Sequence, residues 1–405
     1  MTADRRLIFL AAGLRSSAVA LSGLILALHL SFLGLNAWTI GLAVSFGLAG
    51  CAIGTAIVAY VADYLGRRAT LVVLALLMAL GGLAFSLATA PSVLLASALV
   101  GMVNGMGRDR GAGMTVDQVI LPQTTTADRR TGIFAWYNLV VDGGHAAGSL
   151  LGVLPALLRA HGVAPLASYQ WTWRGYSALC LCAGLLALRL SAKVESRLAP
   201  SLGRGAGRLS PTTRPIVAKF AALSGLDSLG GGFLTTALLS FWFFKRFGVD
   251  ESLLAPLFCL VRIANGLSHL AAAWCARRIG LINTMVFTHL PSSLLLMTVP
   301  LAPNLPVAIA LFLVRESLVE MDVPTRQSYI VAVVREEERT RAAGVANLTR
   351  SAAWAVAPFA AGALMRVSLG APLVVGAGLK VVYDLCLYRA FRHLKPPEEQ
   401  IARRP

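Results

Sequence analysis

Apolar runs broken by Gly, Pro or charge recur along the whole chain, at about 8–30, 39–61, 70–89, 93–121, 132–156, 174–190, 216–243, 253–276, 283–300, 306–334, 342–365 and 372–388. Each comes close to the roughly 20 residues a helix needs to cross a hydrocarbon core of about 30 Å. The pattern predicts an all-α membrane protein of twelve transmembrane helices in two pseudo-symmetric six-helix bundles. Residues 1–190 would form the N-terminal bundle. Residues 191–215 would form a basic cytoplasmic linker, and 216–405 the C-terminal bundle with a short cytoplasmic tail.

Composition agrees with this pattern. Hydrophobic residues make up 57% of the chain and charged residues 14%, against roughly 25% charged in a soluble domain, so a soluble fold is excluded. Arg5 and Arg6 precede the first run as in a signal peptide, but Arg15 interrupts it and no clean Ala-x-Ala cleavage site follows. That run is read as the first transmembrane helix. Six cysteines fall inside apolar runs without a CxxC pair or Cys/His ligand spacing, and are read as small buried hydrophobes.

The chain carries 36 Lys and Arg against 19 Asp and Glu, a formal charge of +17. In a soluble chain that excess would point to nucleic acid. Here position decides. The loops after runs two, four, six, eight and ten, together with both ends, hold 21 of the basic residues. The opposite loops hold five: Arg159, Arg174, Lys245, Arg246 and Arg366. The positive-inside rule then places both termini in the cytoplasm. A bacterial plasma (inner) membrane is the expected location, with the lipid bilayer rather than nucleic acid as the surrounding partner.

The two halves are related in sequence. Gly13-Leu14-Arg15-Ser16 matches Gly225-Leu226-Asp227-Ser228 at an offset of 212, and Asp117-Gln118 matches Arg326-Gln327 at an offset of 209. Ionisable residues thus recur at equivalent depths with their signs exchanged. Charge inside a bilayer costs about 2.5–3.5 kcal/mol per residue on insertion scales, so such residues face partners or water. Arg108, Asp109 and Arg110 are expected deepest in the fourth run. Arg315, Glu316, Glu320 and Asp322 answer them in the tenth, and Arg262 lies in the eighth. Asp142 and His145 share a helix face three residues apart, but no third ligand has matching spacing and no metal site is expected. His29, His269 and His289 are read as satisfied inside the bundle. No phosphate-binding Gly loop or Ser/His/Asp order occurs, so neither a nucleotide nor another cofactor is implied.

Between runs two and three the chain reads Ala59-Tyr60-Val61-Ala62-Asp63-Tyr64-Leu65-Gly66-Arg67-Arg68. This resembles the signature loop of the major facilitator superfamily, with Ala59 where the family usually has Gly and Tyr64 where it often has Arg. Arg277-Arg278-Ile279-Gly280 is a degenerate copy in the second half, and Arg130-Thr131-Gly132 opens run five as in the family. The resemblance extends over the whole chain. It implies an alternating-access fold in which runs one, four, seven and ten line a cavity, and in which Asp63, Gly66, Arg67 and Arg68 form a conformational-switch loop. Span five lacks the Gly-Pro of the family's antiporter signature, having Gly143-Gly144, Gly148-Ser149 and Gly152 instead.

The resulting expectation is a monomeric secondary transporter, not an enzyme, that moves a small solute and is proton-coupled. Its substrate and proton pathway would use Arg15, Arg108, Asp109, Arg110, Asp117, Asp142, Asp227, Arg262, Arg315, Glu316, Asp322 and Arg326. Export of a small organic compound is favoured over an organic-anion uptake carrier or a uniporter. A membrane-embedded sensor or enzyme on a transporter scaffold is the alternative from another class.

Overall fold

The side chains of Asn36, Thr235 and Asn304 cap three helix starts, and proline stands in the first turn of several others. The computed structural model describes residues 3–126, 129–195, 210–211, 213–323, 325–326, 329, 334 and 338–393. Helix α1 (Ala3–Phe32) is followed by α2 (Ala37–Leu65), whose cap residue Asn36 accepts from the Thr39 backbone N–H at 3.0 Å. Next come α3 (Arg67–Leu87), α4 (Pro91–Val100), α5 (Ala112–Ile120), α6 (Arg130–Leu151), α7 (Leu154–Ala160) and α8 (Pro165–Leu188). The second half holds α9 (Thr213–Gly232), α10 (Thr236–Phe247), α11 (Glu251–Ile279), α12 (Leu281–Thr298), α13 (Leu305–Val319), α14 (Arg339–Met365) and α15 (Ala371–Phe391). No strand occurs among the described residues.

Seven described helices are long and apolar enough to cross a membrane. Their outer faces are apolar as lipid requires: Leu76, Leu80, Leu83 and Leu87 form an exposed stripe along α3, where a water-soluble helix would carry polar residues. Other runs of the hydropathy pattern are broken. Run four, expected as one helix over 93–121, is α4 and α5 separated by irregular backbone at 101–111. The seventh run likewise divides into α9 and α10, after the triplet Gly230-Gly231-Gly232. Glycine costs a helix about 1 kcal/mol relative to alanine, and 101–111 contains Gly101, Gly105, Gly107 and Gly111. Arg108, Asp109 and Arg110 therefore sit on an irregular segment, not in the middle of a helix.

The chain forms two compact units, residues 1–204 with 235–260, and 205–234 with 261–405. In the first, α1 packs on α6, α8 and α10, while α3 packs on α8 and α2 on α4 and α5. Close approach of α1 and α6 depends on glycine. A Cβ on Gly148 would lie 2.0 Å from the Ser17 carbonyl oxygen, and one on Gly144 2.6 Å from that of Gly13. Ser17 Oγ donates to the Gly144 carbonyl at 3.0 Å across the same contact. Small residues that let backbones touch are the usual glue where lipid removes the hydrophobic drive between helices. In the second unit α9 packs on α14 and α15, and α12 on α13 and α15. Phe220, Met285, Tyr329, Tyr383, Leu387 and Phe391 belong to its apolar core.

Of the cysteines, Cys180 is buried and Cys51, Cys259 and Cys275 are partly buried. Cys182 and Cys386 instead face outward from α8 and α15, so the reading of all six as buried is corrected for these two. All six are free thiols.

Candidate functional site

Irregular backbone at membrane depth is tolerated where its polar groups find partners within the protein, and segment 101–111 draws them from several elements. Ser22 Oγ donates to the Asn104 carbonyl at 3.1 Å, and Thr236 Oγ1 to that of Met106 at 2.9 Å. The Ala237 backbone N–H donates to the Gly105 carbonyl at 3.0 Å. Asn104 spans its own loop, donating through Nδ2 to the Arg108 carbonyl at 2.9 Å and accepting at Oδ1 from the Met106 N–H at 2.8 Å. The Asp109 N–H donates to His145 Nε2 at 2.8 Å. Met102 is held at φ +50, a left-handed conformation that costs a non-glycine residue about 1–2 kcal/mol.

This segment aims Asp109 at α1. Arg15 Nε donates to Asp109 Oδ2 at 2.6 Å, and Arg15 Nη2 to Asp117 Oδ2 at 2.7 Å. Tyr137 of α6 donates its hydroxyl to the same Asp117 oxygen at 2.9 Å. One guanidinium thus serves two carboxylates, and Arg15, Asp109, Asp117 and Tyr137 are all buried. Behind Asp109, His145 has Nδ1 3.8 Å from Asp142, whose side chain is half exposed. Arg108 is partly buried and Arg110 exposed. A cavity of about 20 Å³ lined by Leu7, Leu71, Met78 and Cys180 ends on Arg15 and Asp117. It has room for one water and none for an organic solute.

The second unit builds the inverse arrangement. Asp227 of α9 accepts from Lys380 Nζ at 2.7 Å through Oδ1 and from Arg326 Nη1 at 2.8 Å through Oδ2. Arg326 Nη1 also lies 3.0 Å from Asp322. Here one carboxylate serves two cations. His289 of α12 places Nδ1 2.9 Å from Asp384 of α15, and Arg350 Nε donates to Ser228 Oγ at 3.1 Å. Arg315 pairs with its neighbour Glu316 on α13, and Arg262 is buried on α11.

Of the four signature-loop positions Asp63, Gly66, Arg67 and Arg68, the last three have described surroundings. The side chain of Asp63 lies outside those described. Gly66 has φ +89, and its carbonyl receives both the backbone N–H and the hydroxyl of Thr70, at 3.0 and 2.8 Å. Gly280, in the degenerate copy, has φ +87 and binds Thr284 with the same two distances. The N–H groups of Arg67 and Arg68 open α3 and donate to the Glu195 carboxylate at 2.6 and 3.2 Å. Arg67 Nη1 also donates to the Val194 carbonyl, and Arg68 Nη1 to that of Leu190. This is a carboxylate held at a helix N-terminus.

A profile of the Major Facilitator Superfamily matches residues 8–358. The chain belongs to that superfamily. It is an integral, multi-pass membrane transporter and not an enzyme. Among curated proteins it is 25% identical over 416 residues to an uncharacterized membrane protein of Saccharomyces cerevisiae, covering 95% of this chain and 93% of the relative. Among solved structures, a POT family transporter in complex with 5-aminolevulinic acid superposes with a TM-score of 0.74 at 14% identity, covering 95% of each chain. A D-xylose-proton symporter superposes with a TM-score of 0.73 at 15% identity, covering 96% of this chain and 97% of its own. These solved structures share the fold of this chain.

Several residues of these networks escape a reading of the sequence as pairs. Tyr137 is one aromatic among many in an apolar run. Glu195 lies in a loop, 128 residues from Arg67. Lys380 and Asp384 carry a legible signal, two opposite charges four apart in an otherwise apolar run. His29, read as satisfied in the bundle, accepts from Trp173 Nε1 at 3.0 Å. No group of three metal-ligating side chains occurs among the described residues.

Proposed function

We propose that this chain is a proton-coupled secondary transporter that exports a small organic compound by alternating access. The observation that carries the reading is the pair of buried charge clusters, Arg15 with Asp109 and Asp117, and Asp227 with Arg326 and Lys380. Buried ion pairs are a costly way to hold apolar helices together, and charge within a bilayer is usually functional. Ion pairs that exchange partners offer a route for coupling a proton to a change of state. The pairing of Arg15 with two carboxylates supports an amphipathic compound over an anion, since the guanidinium charge is already neutralised. Arg108 and Arg110 on the irregular segment favour a second reading, organic-anion uptake. Both termini in the cytoplasm, a bacterial inner membrane and a monomeric carrier complete the proposal.

Reconstitution into liposomes with a trapped pH-sensitive dye and a panel of organic cations, anions and neutral amphiphiles tests it. Solute leaving right-side-out vesicles in exchange for protons entering is the expected result. Solute flux indifferent to the proton gradient removes coupling, and flux of anions alone moves the assignment to the second reading.

A further inference from the structure

The second unit contains a histidine whose two ring nitrogens face different chemistry. Its Nδ1 lies 3.0 and 2.9 Å from the two oxygens of Asp384. A carboxylate only accepts, so Nδ1 carries a hydrogen and donates. Its Nε2 lies 3.4 Å from Lys380 Nζ and 3.7 Å from Asp227 Oδ1. An ammonium only donates, so a bare Nε2 accepts from Lys380, while a protonated Nε2 has Asp227 as its partner. Both protonation states of the ring therefore find partners within one side-chain adjustment. His289 and Asp384 are both essentially inaccessible, on two helices long and apolar enough to cross a membrane.

The groups around His289 set what its charge would do. From α15 it faces Asp384, Lys380 and the ring of Tyr383, from α9 Asp227, and from beyond α13 Asp322 and, through Asp227, Arg326. Asp227 already has Lys380 on one oxygen and Arg326 on the other. A third cation turning to the Lys380-bound oxygen spreads the same single negative charge over three partners and weakens its hold on Arg326.

We propose that His289, oriented by Asp384, is a proton-binding site, and that a proton at its Nε2 loosens the Arg326–Asp227 ion pair. This rests on the proton-coupled reading above and names a site for it. The step is a plain protonation. A proton from water joins the Nε2 lone pair, Lys380 keeps its charge and turns wholly to Asp227, and deprotonation reverses both movements.

The test uses full-length protein in lipid nanodiscs, with ¹⁵N-labelled histidine rings, taken from about pH 8 to about pH 5. A bare-nitrogen signal that is lost on acidification, missing in His289→Gln and displaced in Asp384→Asn, is expected. Protection of the α9 amides, with the intrinsic slowing of exchange at low pH divided out, is expected to fall several-fold over the same interval in wild type and stay flat in His289→Gln. Should His289→Gln fail to accumulate, the displacement in Asp384→Asn still identifies the signal. A bare-nitrogen signal unchanged across the interval overturns the proposal, as does an exchange step that persists in His289→Gln. Proton-driven solute accumulation in wild-type liposomes is measured alongside. Its absence with His289 still titrating refutes the coupling and leaves the proton site standing. Its presence with His289 silent refutes the site and leaves the coupling.

Discussion

Arg15 donates to Asp117 at 2.7 Å in the first unit, and at the repeat-equivalent positions of the second unit Arg326 donates to Asp227 at 2.8 Å with the charges exchanged. The same bond is thus made twice with reversed polarity. The partners added around it invert as well: Arg15 takes a second acid, Asp109, while Asp227 takes a second cation, Lys380. Each cluster has a shared ion at its centre, and the sign of that ion governs how each substitution acts.

Contact between α1 and α6 predicts opposite outcomes for two nearby glycines. A Cβ on Gly148 meets a backbone oxygen at 2.0 Å, whereas one on Gly143 meets nothing within 4 Å. Gly148→Ala must push the helices apart and is expected to cost about 1–3 kcal/mol or more by overpacking. Gly143→Ala is expected to be neutral or to gain up to about 1 kcal/mol from helix propensity. Thermal unfolding of the two purified variants in one detergent checks this, and equal midpoints would contradict the packing.

The Glu195 carboxylate is predicted to matter as a helix cap. It accepts two backbone N–H groups at the start of α3, so Glu195→Ala should cost about 0.5–2 kcal/mol, within the range for lost N-caps. Glu195→Gln keeps one acceptor oxygen and should lose less. If this loop acts in the conformational switch, Glu195→Gln will also slow flux in liposomes while KM stays near the wild-type value. Unchanged flux in both variants would leave the contact a cap alone.

Much of this was legible in the sequence because hydropathy and charge are one-dimensional signals. The apolar runs, the offset repeat and the exchanged signs at Arg15, Asp117, Asp227 and Arg326 needed only spacing. Breaks at 101–111 and 233–235 were harder to read, since Gly and Asn inside an apolar run leave mean hydropathy high while removing the helix. What decides there is whether distant side chains such as Ser22, His145 and Thr236 reach the freed backbone groups. His289 and Asp384 are 95 residues apart on helices with no repeat partner for the pair, so only packing brings them together. The pairing of Glu195 with the N–H groups of Arg67 and Arg68 was hidden for the same reason.

The shared ions predict a crossed pattern of stability. In the first unit, Asp117→Asn leaves Arg15 paired with Asp109 at 2.6 Å, and the amide oxygen can still accept from Tyr137, so the loss should be about 1 kcal/mol, the worth of one hydrogen bond. Arg15→Gln strands two buried carboxylates and should cost about 3–5 kcal/mol, as breaking a buried pair does. In the second unit the order reverses. Asp227→Asn leaves Arg326 with Asp322 but takes the carboxylate from Lys380, and should carry the larger loss. Lys380→Met leaves Asp227 with Arg326 and should carry the smaller one. Unfolding midpoints of the four variants test the pattern, and a larger loss in Asp117→Asn than in Arg15→Gln would sink it. Because Asp117→Asn is the mild member, its flux also reports on chemistry: proton-driven accumulation should persist if His289 binds the proton. Accumulation lost in a normally stable Asp117→Asn would instead place the proton on the Arg15 cluster.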